Sequence, residues 1–82
     1  MDNETMLQAL REVITEFVEL KPEDITLETN MRSDLGLNSL ELVNLAVAIE
    51  DRFETEIPDR EVGRIETLAD VIEVIREYQD ED

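Results

Sequence analysis

The sequence has no cysteine, no histidine and no tryptophan, and only two glycines and two prolines among 82 residues. Without cysteine there is no disulfide framework, which fits a reducing, cytoplasmic setting. Without His or Cys, the usual zinc ligand sets, thiol nucleophiles and Ser–His dyads are excluded. Positive charge is also scarce: 7 Lys and Arg stand against 23 Asp and Glu, for a net charge of −16. Such a chain repels phosphate backbones and anionic lipid surfaces, so neither nucleic-acid binding nor membrane insertion is expected. The longest apolar run, Leu45 to Ile49, is far short of a membrane span. The acidic start Met1-Asp2-Asn3-Glu4 lacks the apolar stretch of a secretory signal.

What is present is periodicity. Apolar residues make up 41% of the chain, enough for one small core and one domain over residues 1–82. Leu7, Leu10, Ile14 and Phe17 follow a helical stripe, widened by Met6, Val13 and Val18, which predicts a helix over 4–19 that Pro22 stops. Residues 20–38 have no period and read as a long first loop, pinned by Ile25, Leu27, Met31, Leu35 and Leu37. Within it, Gly36 marks a backbone position of positive φ or close approach.

Asn38 and Glu41 form a capping-box pair, opening a second helix over 39–53 that is apolar nearly all round and so should be central. Pro58-Asp59 opens a short helical turn with Asp59 as a possible cap, and Gly63 weakens it. Thr67 with Asp70 resembles another capping box, ahead of a last helix carrying Leu68, Val71, Ile72, Ile75 and Tyr78. The fold class is therefore all-α: a small four-helix bundle with three main helices, one short helix and a long first loop. Residues 79–82 read as a frayed acidic tail.

Chemistry is sparse. Gly36-Leu37-Asn38-Ser39-Leu40 superficially suggests a nucleophile elbow, but the spacing is wrong, no strand precedes it and no base is at hand. A calcium loop counted from Asn30 to Glu41 fails too, because Arg32 stands at a ligand position and Leu35 at the sharp-turn glycine. No dedicated metal site is expected, only loose association of divalent cations with clustered carboxylates. Ser39 remains, in the first turn of the central helix, where unpaired N–H groups and the positive end of the dipole favour a phosphate. A serine after a cap is equally ordinary helix punctuation.

The surrounding residues carry more. Asp34-Leu35-Gly36-Leu37-Asn38-Ser39-Leu40-Glu41-Leu42-Val43 resembles the phosphopantetheine attachment site of acyl carrier proteins. The continuation Ala48-Ile49-Glu50-Asp51-Arg52-Phe53, then Glu56-Ile57-Pro58-Asp59 and Ile65-Glu66-Thr67-Leu68, is similar to the same family.

The resemblance implies a four-helix bundle without catalytic activity of its own. It implies that a phosphopantetheinyl transferase joins 4′-phosphopantetheine from coenzyme A to Ser39, and that acyl groups ride on the arm's thiol. It implies docking by the second helix, through Glu41, Glu50, Asp51, Glu54 and Glu56 with Leu40 and Val43, onto basic patches of acyl-chain synthesis and acyltransferase enzymes. It also implies an acyl pocket among Met31, Leu35, Ala46, Ile49, Ile57, Ile65, Val71 and Ile72. A monomer is expected.

Three departures bear on the partners. Asn38 and Asn44 stand where relatives usually have acids, and Arg52, Arg60 and Arg64 bring positive charge to an acidic region. They leave open a specialised carrier for polyketide, peptide or lipopolysaccharide-type synthesis beside one for fatty-acid or related lipid synthesis. An unmodified acidic module that binds a basic partner is the rival from another class. The charge excess itself opposes folding through self-repulsion. Millimolar magnesium or calcium at low ionic strength is expected to raise the melting temperature; an unchanged thermal melt would contradict this.

Overall fold

The computed structural model describes residues 2–79. Four helices follow in order: α1 Asn3–Ile14, α2 Ser39–Phe53, α3 Asp59–Val62 and α4 Leu68–Gln79. A short 3₁₀ turn, Pro22–Asp24, lies in the long connection between α1 and α2. Among the described residues the one β-type pairing is an isolated bridge between Asn30 and Thr67. Residues 80–82 of the expected frayed tail lie outside the described residues; Gln79 closes α4, and its side-chain amide donates to the Phe53 carbonyl at 3.2 Å.

The three long helices share one core. Met6, Leu10 and Ile14 of α1 meet Leu45, Ile49 and Phe53 of α2 and Leu68, Val71 and Ile75 of α4, all nearly without exposure. These positions repeat at three- and four-residue intervals, so each helix buries one stripe. At a typical ~1.5–3 kcal/mol per fully buried aliphatic side chain, this burial is the main force opposing chain entropy and charge repulsion.

α1 is shorter than its stripe suggested: it ends at Ile14, not at 19. The Thr15 hydroxyl donates back to the Arg11 carbonyl at 2.8 Å, and the Glu16 and Phe17 N–H groups reach only three residues back, tightening the chain into a turn. The β-branched Thr15 and Val18 and the aromatic Phe17 are also weak helix formers. One result is that Phe17, expected on the buried stripe, is 41% exposed. On α2, Leu40 and Val43 are exposed as their expected docking role requires, and Val47 on the same face is exposed too, which the reading of the helix as apolar nearly all round does not anticipate.

The first connection runs from Thr15 to Asn38 and is held by its own backbone. Leu68 N–H donates to Thr29 O at 3.1 Å and Ala69 N–H to Leu27 O at 3.0 Å, while Met31 N–H donates to Glu66 O at 2.8 Å. Arg11 Nε adds a bond to Ile25 O at 2.8 Å. These anchors hold Ile25, Met31 and Leu35 in the core.

The Thr67–Asp70 box also forms. Asp70 Oδ2 accepts from Thr67 N–H at 3.1 Å and from Glu66 N–H at 3.0 Å, and Asp70 N–H points back at Thr67 Oγ1 at 3.4 Å. At α3, by contrast, Pro58 occupies the cap position and Asp59 makes no capping bond.

The N–H groups of Thr67 and then Glu66 hold the Asp70 carboxyl below its ordinary 3.8. A folded value below the unfolded one means stabilisation that is present above the unfolded value and lost as pH falls through the folded one. Asp70→Ala is expected to cost about 1 kcal/mol near neutrality, the usual size of a capping contribution. The gap from wild type should close below the ordinary 3.8. Urea melts at neutral and strongly acid pH check this, and a gap independent of pH would contradict it.

Candidate functional site

Ser39 is the first residue of α2, and it is exposed. The turn that delivers it begins at Asn30, whose Oδ1 accepts from Arg32 and Ser33 N–H, both at 2.9 Å. The turn closes at Gly36, whose N–H donates to Arg32 O at 2.9 Å and whose φ is +68°. A β-carbon at Gly36 would meet nothing within 4 Å, so the need for glycine there is conformational and not steric.

Asn38 then caps α2: its Oδ1 accepts from Glu41 N–H at 2.8 Å, and Glu41 Oε1 accepts from Asn38 N–H at 3.1 Å. Leu42 N–H is taken by the Asn38 carbonyl at 2.9 Å. That accounts for every N–H of the first turn except those of Ser39 and Leu40, which have no partner among the described residues. At the start of α4 the corresponding two groups are filled by Thr29 and Leu27 carbonyls. The α2 terminus thus keeps two open donors and a positive dipole end beside the Ser39 hydroxyl, which suits an attached phosphate group.

Leu40, Val43 and Val47 recur at three and four residues, forming an exposed apolar stripe that leads away from Ser39. Leu40 is the barest of them at 70% exposure. Val47 was missed in the sequence, although its seven-residue spacing from Leu40 puts it on the same face. At the far end lies a shallow groove of Val47, Glu50, Asp51, Glu54, Thr55 and Glu56. Glu54 holds the left-handed cap of α2 at φ 52°.

The five expected docking acids are not equivalent. Asp51, Glu54 and Glu56 are exposed; Glu41 is exposed but shares its carboxylate with the cap. Glu50 is half-buried and accepts from Ile57 N–H at 2.6 Å. Arg52 points toward α1, with Nη2 3.7 Å from Glu12, and Arg64 Nη1 lies 3.2 Å from Glu61. Both arginines therefore spend their charge on acids of the fold.

Six of the eight expected pocket residues, Met31, Ala46, Ile49, Ile57, Ile65 and Val71, surround one apolar void of about 10 Å³. Leu42, Leu45 and Val62 complete the lining. Leu35 and Ile72 do not reach it: Leu35 is buried elsewhere in the core, and Ile72 borders a separate groove with Asn3, Leu27 and Arg76. Leu42 was the legible omission, since Leu42, Ala46 and Ile49 recur at four and three residues and share a face. As it stands, the void has room for about one water.

Known proteins resemble the chain in sequence and in fold. The family described as "Phosphopantetheine attachment site" matches residues 8–75. The chain belongs to the acyl carrier protein family. It is 36% identical over 75 residues to an acyl carrier protein of Coprothermobacter proteolyticus, covering 92% of each chain. It is 37% identical over 73 residues to one of Clostridium perfringens, covering 89% of this chain and 96% of the other. The solved acyl carrier protein of Enterococcus faecalis superposes with a TM-score of 0.77 at 27% identity, covering 95% of this chain and 99% of that one.

An acyl carrier works without catalysis of its own, through covalently attached 4′-phosphopantetheine. The Ser39 end of α2 fits that group, having an exposed hydroxyl and two unfilled backbone donors. Among the described residues no helix is long and apolar enough to cross a membrane.

The capping geometry yields a test. Asn38→Ala removes the acceptor of Glu41 N–H and is expected to cost about 1 kcal/mol, whereas Asn38→Asp should change stability by only a few tenths. Thermal melts of the two variants check this; equal losses would contradict it.

Proposed function

We propose that the chain is a discrete acyl carrier modified on Ser39, which delivers acyl groups to enzymes of fatty-acid or related lipid synthesis. The observation that carries the reading is the exposed Ser39 hydroxyl beside the two unfilled N–H groups of Ser39 and Leu40. The hydroxyl offers the oxygen of a phosphodiester, and the donors with the helix dipole favour its negative charge. The bound 4′-phosphopantetheine supplies the thiol on which acyl groups are held as thioesters.

The chain's own residues supply recognition. Leu40, Val43 and Val47 present apolar contacts next to the attachment point, and Glu41, Asp51, Glu54 and Glu56 attract basic patches on the transferase and on acyl-chain synthesis and acyltransferase enzymes. Such charge pairing mainly speeds encounter and fixes orientation, which suits a protein that visits several enzymes in turn. Met31, Ala46, Ile49, Ile57, Ile65 and Val71 receive part of the acyl chain when the core opens. The protein acts as a cytoplasmic monomer.

A specialised carrier for polyketide, peptide or lipopolysaccharide-type synthesis is the second reading. It is favoured by the neutral Asn38 and Asn44, which remove charge from the two sides of Ser39.

Incubation with coenzyme A and a broad-specificity phosphopantetheinyl transferase is expected to add one phosphopantetheine to the intact mass, and none to Ser39→Ala. No gain with several transferases would favour the unmodified interaction module. Leu40→Ala should leave the melting temperature nearly unchanged, as expected of a surface change within ~0.5 kcal/mol. It should slow modification by roughly tenfold, as loss of a central contact does.

A further inference from the structure

Glu50 has the sequence signature of a docking acid but a different position. It lies in the last turns of α2, half-buried, and its Oε2 accepts from Ile57 N–H at 2.6 Å. The Ile57 side chain, 6% exposed, forms part of the wall of the apolar void. The connection that carries it, Thr55 to Pro58, has few other ties. Thr55 is held by its own N–H to Glu50 O at 3.0 Å and by its hydroxyl to Phe53 O at 3.1 Å. Glu56 N–H has no partner among the described residues, and Pro58 has no N–H to give. The backbone of Ile57 is thus fastened to α2 through one side-chain carboxylate.

We infer that Glu50 is a positioning residue of the acyl chamber: its carboxylate clamps Ile57 against α2, and the chamber opens when that bond breaks. The inference rests on the carrier reading for the chamber's use, but not for the clamp itself. A void of about 10 Å³ cannot take an acyl chain without moving a wall. The α2 and α4 walls are locked by continuous helical hydrogen bonding, which must be disrupted over several residues to give way. Of the walls outside those helices, Met31 and Ile65 give their N–H groups to the backbone carbonyls of Glu66 and Val62, whereas Ile57 N–H has only the Glu50 carboxylate, so the Ile57 wall can yield without breaking a backbone–backbone bond of its own N–H. The bond is also charge-assisted, hence short and directional, which makes closure a defined state.

Charge and bond can be separated. Glu50→Gln keeps a carbonyl oxygen that can accept from Ile57 N–H but removes the charge; Glu50→Ala removes both. In the unmodified protein, amide hydrogen exchange is expected to show Ile57 protected in wild type and in Glu50→Gln. In Glu50→Ala its exchange should be about tenfold faster or more, with core amides such as Leu10 unchanged. In octanoyl-loaded protein, chain entry no longer has to break the bond in Glu50→Ala. Hydroxylamine should then cleave the thioester several-fold more slowly than in wild type.

Equal behaviour of Glu50→Ala and wild type would overturn the proposal, and so would a Glu50→Gln as perturbed as Glu50→Ala. Should Glu50→Ala fail to fold, wild type alone decides: an Ile57 amide exchanging as fast as that of Glu56 refutes the clamp. The exchange measurement needs no modified serine, so it stands apart from any failure of Ser39 to accept phosphopantetheine.

Discussion

The structure depends on a trade of backbone hydrogen bonds between the first connection and the start of α4. A stretch without regular structure must satisfy its polar groups elsewhere, and a helix must do the same for its first N–H groups. Here each solves the other's problem: Leu27 and Thr29 give carbonyls to Ala69 and Leu68, and Met31 takes the carbonyl of Glu66. The exchange holds Met31 and Leu35 in the core and sets the path of the chain through Gly36 to Asn38. The location of Ser39 is therefore fixed largely by residues near position 67, far along the sequence.

Much of this was readable in advance, for definite reasons. Capping boxes are local, so Asn38 with Glu41 and Thr67 with Asp70 could be named from spacing, and both form. Gly36 was likewise legible because few residues tolerate positive φ. The family resemblance, carried by the residues around Ser39 and by Ile57-Pro58-Asp59, agrees with the matched profile and relatives. Less legible was where the apolar pattern stops meaning burial. Phe17 fits the α1 stripe by period, yet the helix has already ended. Val47 fits a helix that is apolar all round, yet among the described residues that side is left exposed. Periodicity reports which residues share a face, but not whether a partner element is there to cover it.

The net charge is also less uniform in use than in amount. Asp2 and Asp70 accept from backbone donors at helix starts, Glu41 completes a cap, and Glu12 and Glu61 pair with arginines. The first three of those acids complete helix starts, and the last two sit in ion pairs. Three further acids, Asp51, Glu54 and Glu56, are exposed at the far end of the stripe that begins at Leu40. Surface ion pairs such as Arg52 with Glu12 contribute little stability individually.

Glu54 shows what that rim demands of the chain. At φ 52° it stands where helices usually end in glycine, and an L-side chain there costs roughly 1–2 kcal/mol of backbone strain. A simple stabilising replacement is therefore within one substitution, and it would erase a rim carboxylate. Selection for heat resistance and selection for fast partner encounter would pull this one codon in opposite directions. Its identity across related carriers should follow whichever pressure dominates in the host.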